Sequence, residues 1–318
     1  MNKNLRFLFA SSKWGGSAYH RMYLPSIHLR KISGIQSLIS TDYNYNMIET
    51  FKPHAIFFQW LSGEKSLTFV RWCQSKNIKV FIDIDDDIWS LEDNSEWTKE
   101  KIESLEQIIR QSDGIVVASN KLEEIIRERK LHENVVISGN YVDLDSFDDK
   151  YIREYIYETR VGWYGSSSHE QDFSDAICDW LIKYFKADDL IVFGHMPAKL
   201  EGYARFIEGV EPLKFMQTLQ RLNLDMGLII CDPMIEFNKA KTPIKLLEMA
   251  VLGIPILSSL AEPYLPFKDY IGIYEENDFF VEKSKVIKLQ KLVKNEYSWQ
   301  ARKEDVYKTY KELYDNVV

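Results

Sequence analysis

Short apolar runs recur along this chain at intervals that leave room for one helix between each pair. LRFLFASS (5–12), IQSLIS (35–40), AIFFQW (55–60), IKVFIDI (78–84), GIVVASN (114–120) and NVVISGNYVD (134–143) fill the first half. Between them lie a mostly helical stretch up to about Lys31, then SLTFVRWCQSK (66–76), EWTKEKIESLEQIIRQS (96–112) and KLEEIIRERK (121–130). Strands alternating with helices read as βαβ units, the building blocks of a parallel sheet. AIFFQW is apolar almost throughout, as expected of a strand covered on both faces. Pro25 falls inside the first helical stretch and should kink or restart it, because proline lacks an N–H and crowds the carbonyl four residues back.

The alternation pauses at SFDDKYIREYIYE (146–158), which is polar and tyrosine-rich, and then restarts. TRVGWYGSS (159–167) is followed by a helix over 171–185, LIVFGH (190–195), ARFIEGV (204–210), a helix over 212–221 and LDMGLII (224–230). A helix near 243–252, IPILSS (254–259), IGIYE (271–275) and two terminal helices complete the pattern. At 318 residues the chain is long for one core. The predicted class is therefore α/β: two Rossmann-like parallel-sheet domains, 1–150 and 151–295, facing a cleft at the C-terminal ends of their strands, where ligands bind in such sheets. Residues 296–318 form a last helix with Trp299, Val306, Tyr310 and Leu313 on one stripe.

The formal net charge of −8 argues against a protein that coats nucleic acid, which needs surplus Lys and Arg. Cys73, Cys178 and Cys231 are scattered and form no CxxC, which points to a reducing compartment. The apolar run in MNKNLRFLFASS is too short for a signal peptide, and no run approaches the roughly 20 residues that span a bilayer. A cytoplasmic protein is expected, with peripheral contact at the inner membrane face left open. No GxGxxG, GxxxxGK[ST] or GxSxG motif occurs, which weighs against dehydrogenase, NTPase and hydrolase readings.

Four segments carry residues suited to chemistry. In FNKAKTPIKLLEMAVLGIPILSS (237–259), Thr242 suits an N-cap and Pro243 a first helical position. The backbone N–H groups near Ile244 and Lys245 would then face an anion. Lys241, Lys245 and Glu248 share a face if the turn begins at Lys241, which places a phosphate by the lysines and a carboxylate one turn deeper, beside ribose hydroxyls. The plainer alternative is a surface helix with a Lys245–Glu248 pair worth a few tenths of a kcal/mol. VGWYGSSSHEQD (161–172) offers backbone N–H groups and hydroxyls around Gly165, Ser166, Ser167 and His169 to phosphate or sugar oxygens. IKVFIDIDDDIW (78–89) crowds Asp83, Asp85, Asp86 and Asp87 at a strand end. That pattern serves proton transfer, metal binding, or capping of the next turn. In SSKWGGSAYHRM (11–22), Gly15 and Gly16 permit close backbone approach next to Tyr19, and Arg21 carries a charge suited to phosphate.

FNKAKTPIKLLEMAVLGIPILSS resembles the donor-binding segment of GT-B glycosyltransferases, in particular family-4-like enzymes (glycosyl transferases group 1). Glu248 matches the second glutamate of their signature, which holds the nucleotide ribose. The first falls on Ala240. The segment is similar to a branch with Asn-x-x-Lys-Ser/Thr there, met by Asn238, Lys241 and Thr242. GWYGSSSH resembles the Gly-Trp-x-Gly-Ser-x-x-His that opens the second domain in that branch. The resemblance implies a transferase moving a sugar from a UDP- or GDP-sugar to an acceptor hydroxyl on a glycan or glycolipid, with retention and with no required cofactor or metal. It implies donor binding by Gly165, Ser166, Ser167, His169, Asn238, Lys241, Thr242, Lys245 and Glu248. It also implies charge stabilisation by Lys241, acceptor chemistry at Asp85, Asp86 or Asp87, a diphosphate and acceptor loop at Gly15, Gly16, Tyr19 and Arg21, and a final helix that crosses back onto the first domain. Three alternatives stay open: a metal-dependent transferase built on Asp85–Asp87, a transferase acting on a modified DNA base, and a non-catalytic nucleotide-sugar-binding subunit.

Overall fold

The computed structural model describes residues 4–41, 43–59, 61–91, 97–151, 159–274 and 281–318. Trp60 of the third expected strand, Glu96 of the expected amphipathic helix, residues 152–158 of the polar pause and Glu275 of the last strand lie outside the described residues. The chain forms two compact units, one of Met1–Tyr141, Ala240–Thr242 and Trp299–Val318, the other of Val142–Lys239 and Pro243–Ser298.

The first unit runs β1 (Leu5–Ser11), α1 (Gly16–Ala18), a π turn (Tyr19–Tyr23), α2 (Leu24–Leu29), β2 (Ile35–Ser40), α3 (Tyr45–Phe51), β3 (Ala55–Gln59), α4 (Gly63–Ser75), β4 (Lys79–Ile84), a 3-10 turn (Ile88–Leu91), α5 (Lys99–Gln111), β5 (Gly114–Val117), α6 (Asn120–Glu128) and β6 (Val135–Ile137). Its six strands are all parallel, in the order β2-β1-β3-β4-β5-β6. Every residue of β3 is buried, as its apolar run requires, while edge strand β2 alternates. The break expected at Pro25 takes the form of the π turn just ahead of it. Widening the ladder there accommodates the missing N–H and the ring. Polar caps start the later helices: Thr98 Oγ1 accepts from Lys101 N–H, and Ser119 Oγ from Leu122 N–H. The strand expected over 134–143 ends at Ile137: the Ser138 N–H still donates to the Val117 carbonyl of β5, but the Ser138 carbonyl and the Asn140 side-chain oxygen accept from Arg21 instead of continuing the ladder.

The second unit runs β7 (Val161–Gly165), a 3-10 turn (Ser167–Asp172), α7 (Asp175–Tyr184), β8 (Leu190–Gly194), β9 (Arg205–Glu208), α8 (Pro212–Arg221), β10 (Met226–Ile229), α9 (Glu236–Lys239), α10 (Ile244–Val251), β11 (Ile256–Ser258), a 3-10 segment (Glu262–Tyr270), β12 (Gly272–Ile273) and α11 (Lys283–Glu296). It too is a six-stranded parallel sheet, in the order β12-β11-β10-β7-β8-β9. Helix α10 lies so close on β10 that a Cβ added at Gly227 would sit 2.2 Å from Met249 Sδ. At Gly194, φ is +105° and an added Cβ would fall 2.5 Å from the Gly165 carbonyl oxygen, so only glycine joins the ends of β7 and β8 there.

The last helix, α12 (Trp299–Asp315), returns to the first unit. Its stripe of Trp299, Val306, Tyr310 and Leu313 is buried against the face of the sheet that carries Phe7, Phe9, Phe57 and Phe81. Tyr310 lies 4.7 Å from Phe57, ring to ring, and Trp299 stacks on His28 at 5.1 Å.

Candidate functional site

Two clusters form at strand ends, one in each unit. In the second unit β7 ends in Trp163, Tyr164 and Gly165, where two aromatic rings and a bare backbone receive the start of α10. Lys245 Nζ lies 5.0 Å from the Trp163 ring centre and 5.5 Å from that of Tyr164, within cation–π range of both. A Cβ at Gly165 would come within 2.6 Å of the Trp163 ring and 3.0 Å of Lys245 Nζ, so glycine makes the space that the lysine and indole share. Tyr164 reaches across to α10. Its hydroxyl donates to Glu248 Oε2 at 2.6 Å, with the Lys245 carbonyl oxygen a further acceptor at 3.1 Å. Burial, followed by the Glu248 charge, pushes the Tyr164 phenol well above its ordinary range, so it stays a donor. Glu248 is buried at 4% exposure, one turn below Lys245.

Past Gly165 the chain exposes Ser166, Ser167 and Ser168, with Ser166 Oγ and Ser168 Oγ 2.8 Å apart. His169 follows, its ring edge-on to Trp163 at 6.2 Å, and its Nδ1 is 2.8 Å from Asp172 Oδ2. The other Asp172 oxygen accepts from Asp232 N–H at 3.0 Å and from Asn238 Nδ2 at 2.6 Å. Asp172, 1% exposed, thus ties the β7 turn, the residues after β10 and helix α9 together. Trp163, Tyr164 and Asp172 were not among the expected site residues. The i to i+3 spacing of His169 and Asp172 was a signal for the last of them.

The start of α10 differs from expectation. The helix begins at Ile244 with Pro243 at the N-cap, and no side chain caps it. Thr242 Oγ1 instead accepts from Asn140 Nδ2 at 2.9 Å inside the first unit, so the capping role is taken up by another contact. Lys241 therefore lies outside the helix and shares no helical face with Lys245 and Glu248. Ala240, fully buried, belongs to the core of the first unit, and its carbonyl accepts from Ser119 Oγ at 2.7 Å.

In the first unit the acidic cluster divides among separate partners. Asp83 accepts both nitrogens of the Arg21 fork, Nε at 2.9 Å and Nη2 at 2.8 Å. Burial pushes the Asp83 carboxyl up to about 6, against the opposing pull of the Arg21 charge. Arg21 is 1% exposed and also donates to Ser138 O and Asn140 Oδ1, so the charge expected at a diphosphate is committed inside the unit instead. Asp85 Oδ1 accepts from Gln59 Nε2 at 2.8 Å. Asp87 caps the following 3-10 turn through Trp89 N–H and Ser90 N–H, the role foreseen for at least one of the four. Among the described residues no group of three His, Cys, Asp or Glu side chains is placed to hold a metal ion. Gly15 and Gly16 were expected to permit close approach, yet an added Cβ at either would meet nothing within 4 Å. Tyr19 is buried and stacked on Tyr23 at 5.6 Å. Among the described residues no helix is long and apolar enough to cross a membrane.

No family model matches the chain, and no curated protein matches it by sequence. Solved structures do match in shape. Sucrose-phosphate synthase from Thermosynechococcus elongatus superposes with a TM-score of 0.69 at 9% identity, covering 98% of this chain and 100% of that one. The catalytic domain of starch synthase IV from Arabidopsis thaliana, bound to ADP and acarbose, gives 0.62 at 9% identity, covering 98% and 99%. A UDP co-structure of MnaA from S. aureus gives 0.52 at 12% identity, covering 99% and 98%. The chain has the fold of the GT-B glycosyltransferases.

Proposed function

We propose that the protein is a glycosyltransferase that takes a sugar from a nucleotide-sugar donor to an acceptor hydroxyl. The observation that carries the reading is the set of groups gathered where β7 meets α10: Lys245 between two rings, His169 on its Asp172 support, open serine hydroxyls, and Glu248 one turn deeper. It is supported by the GT-B fold, whose neighbours include structures holding ADP and UDP. Diphosphate leaves with added negative charge as the glycosidic bond breaks. Lys245 and Lys241 supply positive charge without needing a bound metal, and fixed dipoles of the β7 loop add to it. Glu248, held by the Tyr164 hydroxyl, accepts from the ribose hydroxyls. Asp85 orients the acceptor hydroxyl or takes its proton. We assign the first unit to the acceptor, in place of the expected 1–150, the second to the donor, in place of 151–295, and Trp299–Val318 to the returning helix, with retention of configuration, a UDP- or GDP-sugar as donor, a glycan or glycolipid as acceptor, and a cytoplasmic location.

A second reading is favoured by Ala240. The family's first glutamate would stand there, and the position is a buried apolar one. A protein that binds a nucleotide sugar without turning it over fits that loss. The deciding experiment is a melting series with nucleoside diphosphates and nucleotide sugars, each in EDTA and in manganese, followed by a transfer assay with the ligand that binds. Stabilisation by one diphosphate in EDTA, followed by transfer, supports the enzyme; at 100 times its Kd a ligand adds about 2.7 kcal/mol. Stabilisation without turnover supports the binding protein, stabilisation only with manganese supports a metal-dependent transferase, and no stabilisation overturns all three.

A further inference from the structure

A pocket opens at the C-terminal ends of β3 and β4, entirely within the first unit. Gln59, Asp83, Asp85 and Asp86 supply its polar groups, and Ile84, Trp97 and Leu105 are among its apolar walls. Gln59 is 1% exposed. Its amide nitrogen is used on Asp85, but its amide oxygen is buried and meets no donor among the described residues. A buried acceptor left without a donor loses a hydrogen bond to water and gains none in return. The shortage is on the donor side only. Both Asp83 oxygens are taken by Arg21, while Asp85, half-buried, keeps acceptor capacity beyond the single bond from Gln59. Among the described residues, no lysine, arginine or histidine lines the pocket.

We infer that this pocket binds a neutral, hydroxyl-bearing group flanked by apolar carbon, and that it rejects anions. A hydroxyl supplies the donor that Gln59 Oε1 lacks and reaches the carboxylate of Asp85. The carbon skeleton lies against the apolar walls. A phosphate or carboxylate in the same place would bring only acceptors to an acceptor-lined end and would stand beside the Asp85 charge. This deepens the transferase reading by naming the acceptor's chemical class, and it rests on that reading only in calling the bound molecule an acceptor.

The test uses two probes with the same tail, n-hexyl β-D-glucoside and n-hexyl phosphate, on the full chain. Trp97 is the reporter, its indole N–H resonance assigned among the eight tryptophans by Trp97→Phe. The glucoside should shift that resonance saturably and the phosphate should not. Gln59→Met should raise the glucoside Kd at least tenfold with the other indole signals in place. Asp85→Asn, which removes the charge and adds donors, should admit the phosphate even if Gln59→Met fails to fold. Equal binding of both probes, no saturable shift by either, or wild-type behaviour of both variants overturns the inference. Glucoside binding in a protein that no nucleotide stabilises keeps the pocket and removes the transferase; nucleotide binding with a silent Trp97 does the reverse.

Discussion

Arg21 and Asp83 show how far a residue's neighbours decide its role. In sequence, an arginine after a glycine turn reads as a phosphate ligand. In the fold both partners are buried and joined by two hydrogen bonds. Removing one leaves an uncompensated buried charge, so Arg21→Met should lower stability by about 3–5 kcal/mol. The double replacement Arg21→Met with Asp83→Leu should cost clearly less than the sum of the single changes, and urea unfolding of the four proteins of that cycle checks it. Glu248 is the opposite case. Its place on the helix one turn below Lys245 was legible, while the Tyr164 hydroxyl that holds it was not, because nothing local links residues 84 positions apart. Glu248→Ala should weaken nucleotide binding at least about tenfold, or roughly 1.4 kcal/mol, and Tyr164→Phe by less, since it removes only the support. Calorimetric titration with the diphosphate that stabilises the protein separates them; equal losses would mean that the tyrosine itself meets the ligand.

Among the elements, α10 is the one whose position the site depends on. Leu246, Leu247 and Met249 are fully buried, and Gly227 lets the helix sit directly on β10. Gly227→Ala would drive a methyl into Met249 Sδ, and overpacking of this kind costs about 1–3 kcal/mol. Gly194→Ala adds a left-handed backbone to a collision with the Gly165 carbonyl, and it should be the worse of the two. Melting midpoints of both variants test that order, and the Gly194 change should also disturb the β7 turn that carries His169. Among the described residues, apolar runs located the twelve strands, the largely exposed edge strand β9 included, but they set their ends poorly. β6 ends at Ile137, just before the Ser138 carbonyl that accepts from Arg21, and α10 starts at Ile244, past Thr242, whose hydroxyl accepts from Asn140. Strand ends depend on partners distant in sequence, which no local pattern records.

On the scale of the molecule, the chain leaves its second unit at Ser298 and completes the first with α12. Trp299, Tyr310 and Leu313 are each at or below 1% exposure there. Full burial of such side chains contributes about 1.5–3 kcal/mol each, a large share of a typical stability of about 5–15 kcal/mol. A chain ending at Ser298 should therefore lose the near-ultraviolet circular dichroism of its aromatic core and be cut rapidly by protease within residues 1–141; resistance equal to the full chain would show that α12 is dispensable. The alternation of apolar runs with helical spacing determined by itself that this protein has two parallel α/β sheets, and the stripe on the last helix that it must be buried. Both follow from local periodicity and the need to remove apolar surface from water. Only the tertiary structure decided which distant polar groups meet: Arg21 with Asp83, Asp172 with Asn238, Gln59 with Asp85. Hydrogen bonds and ion pairs act over a few ångströms of space, and sequence distance does not encode that separation.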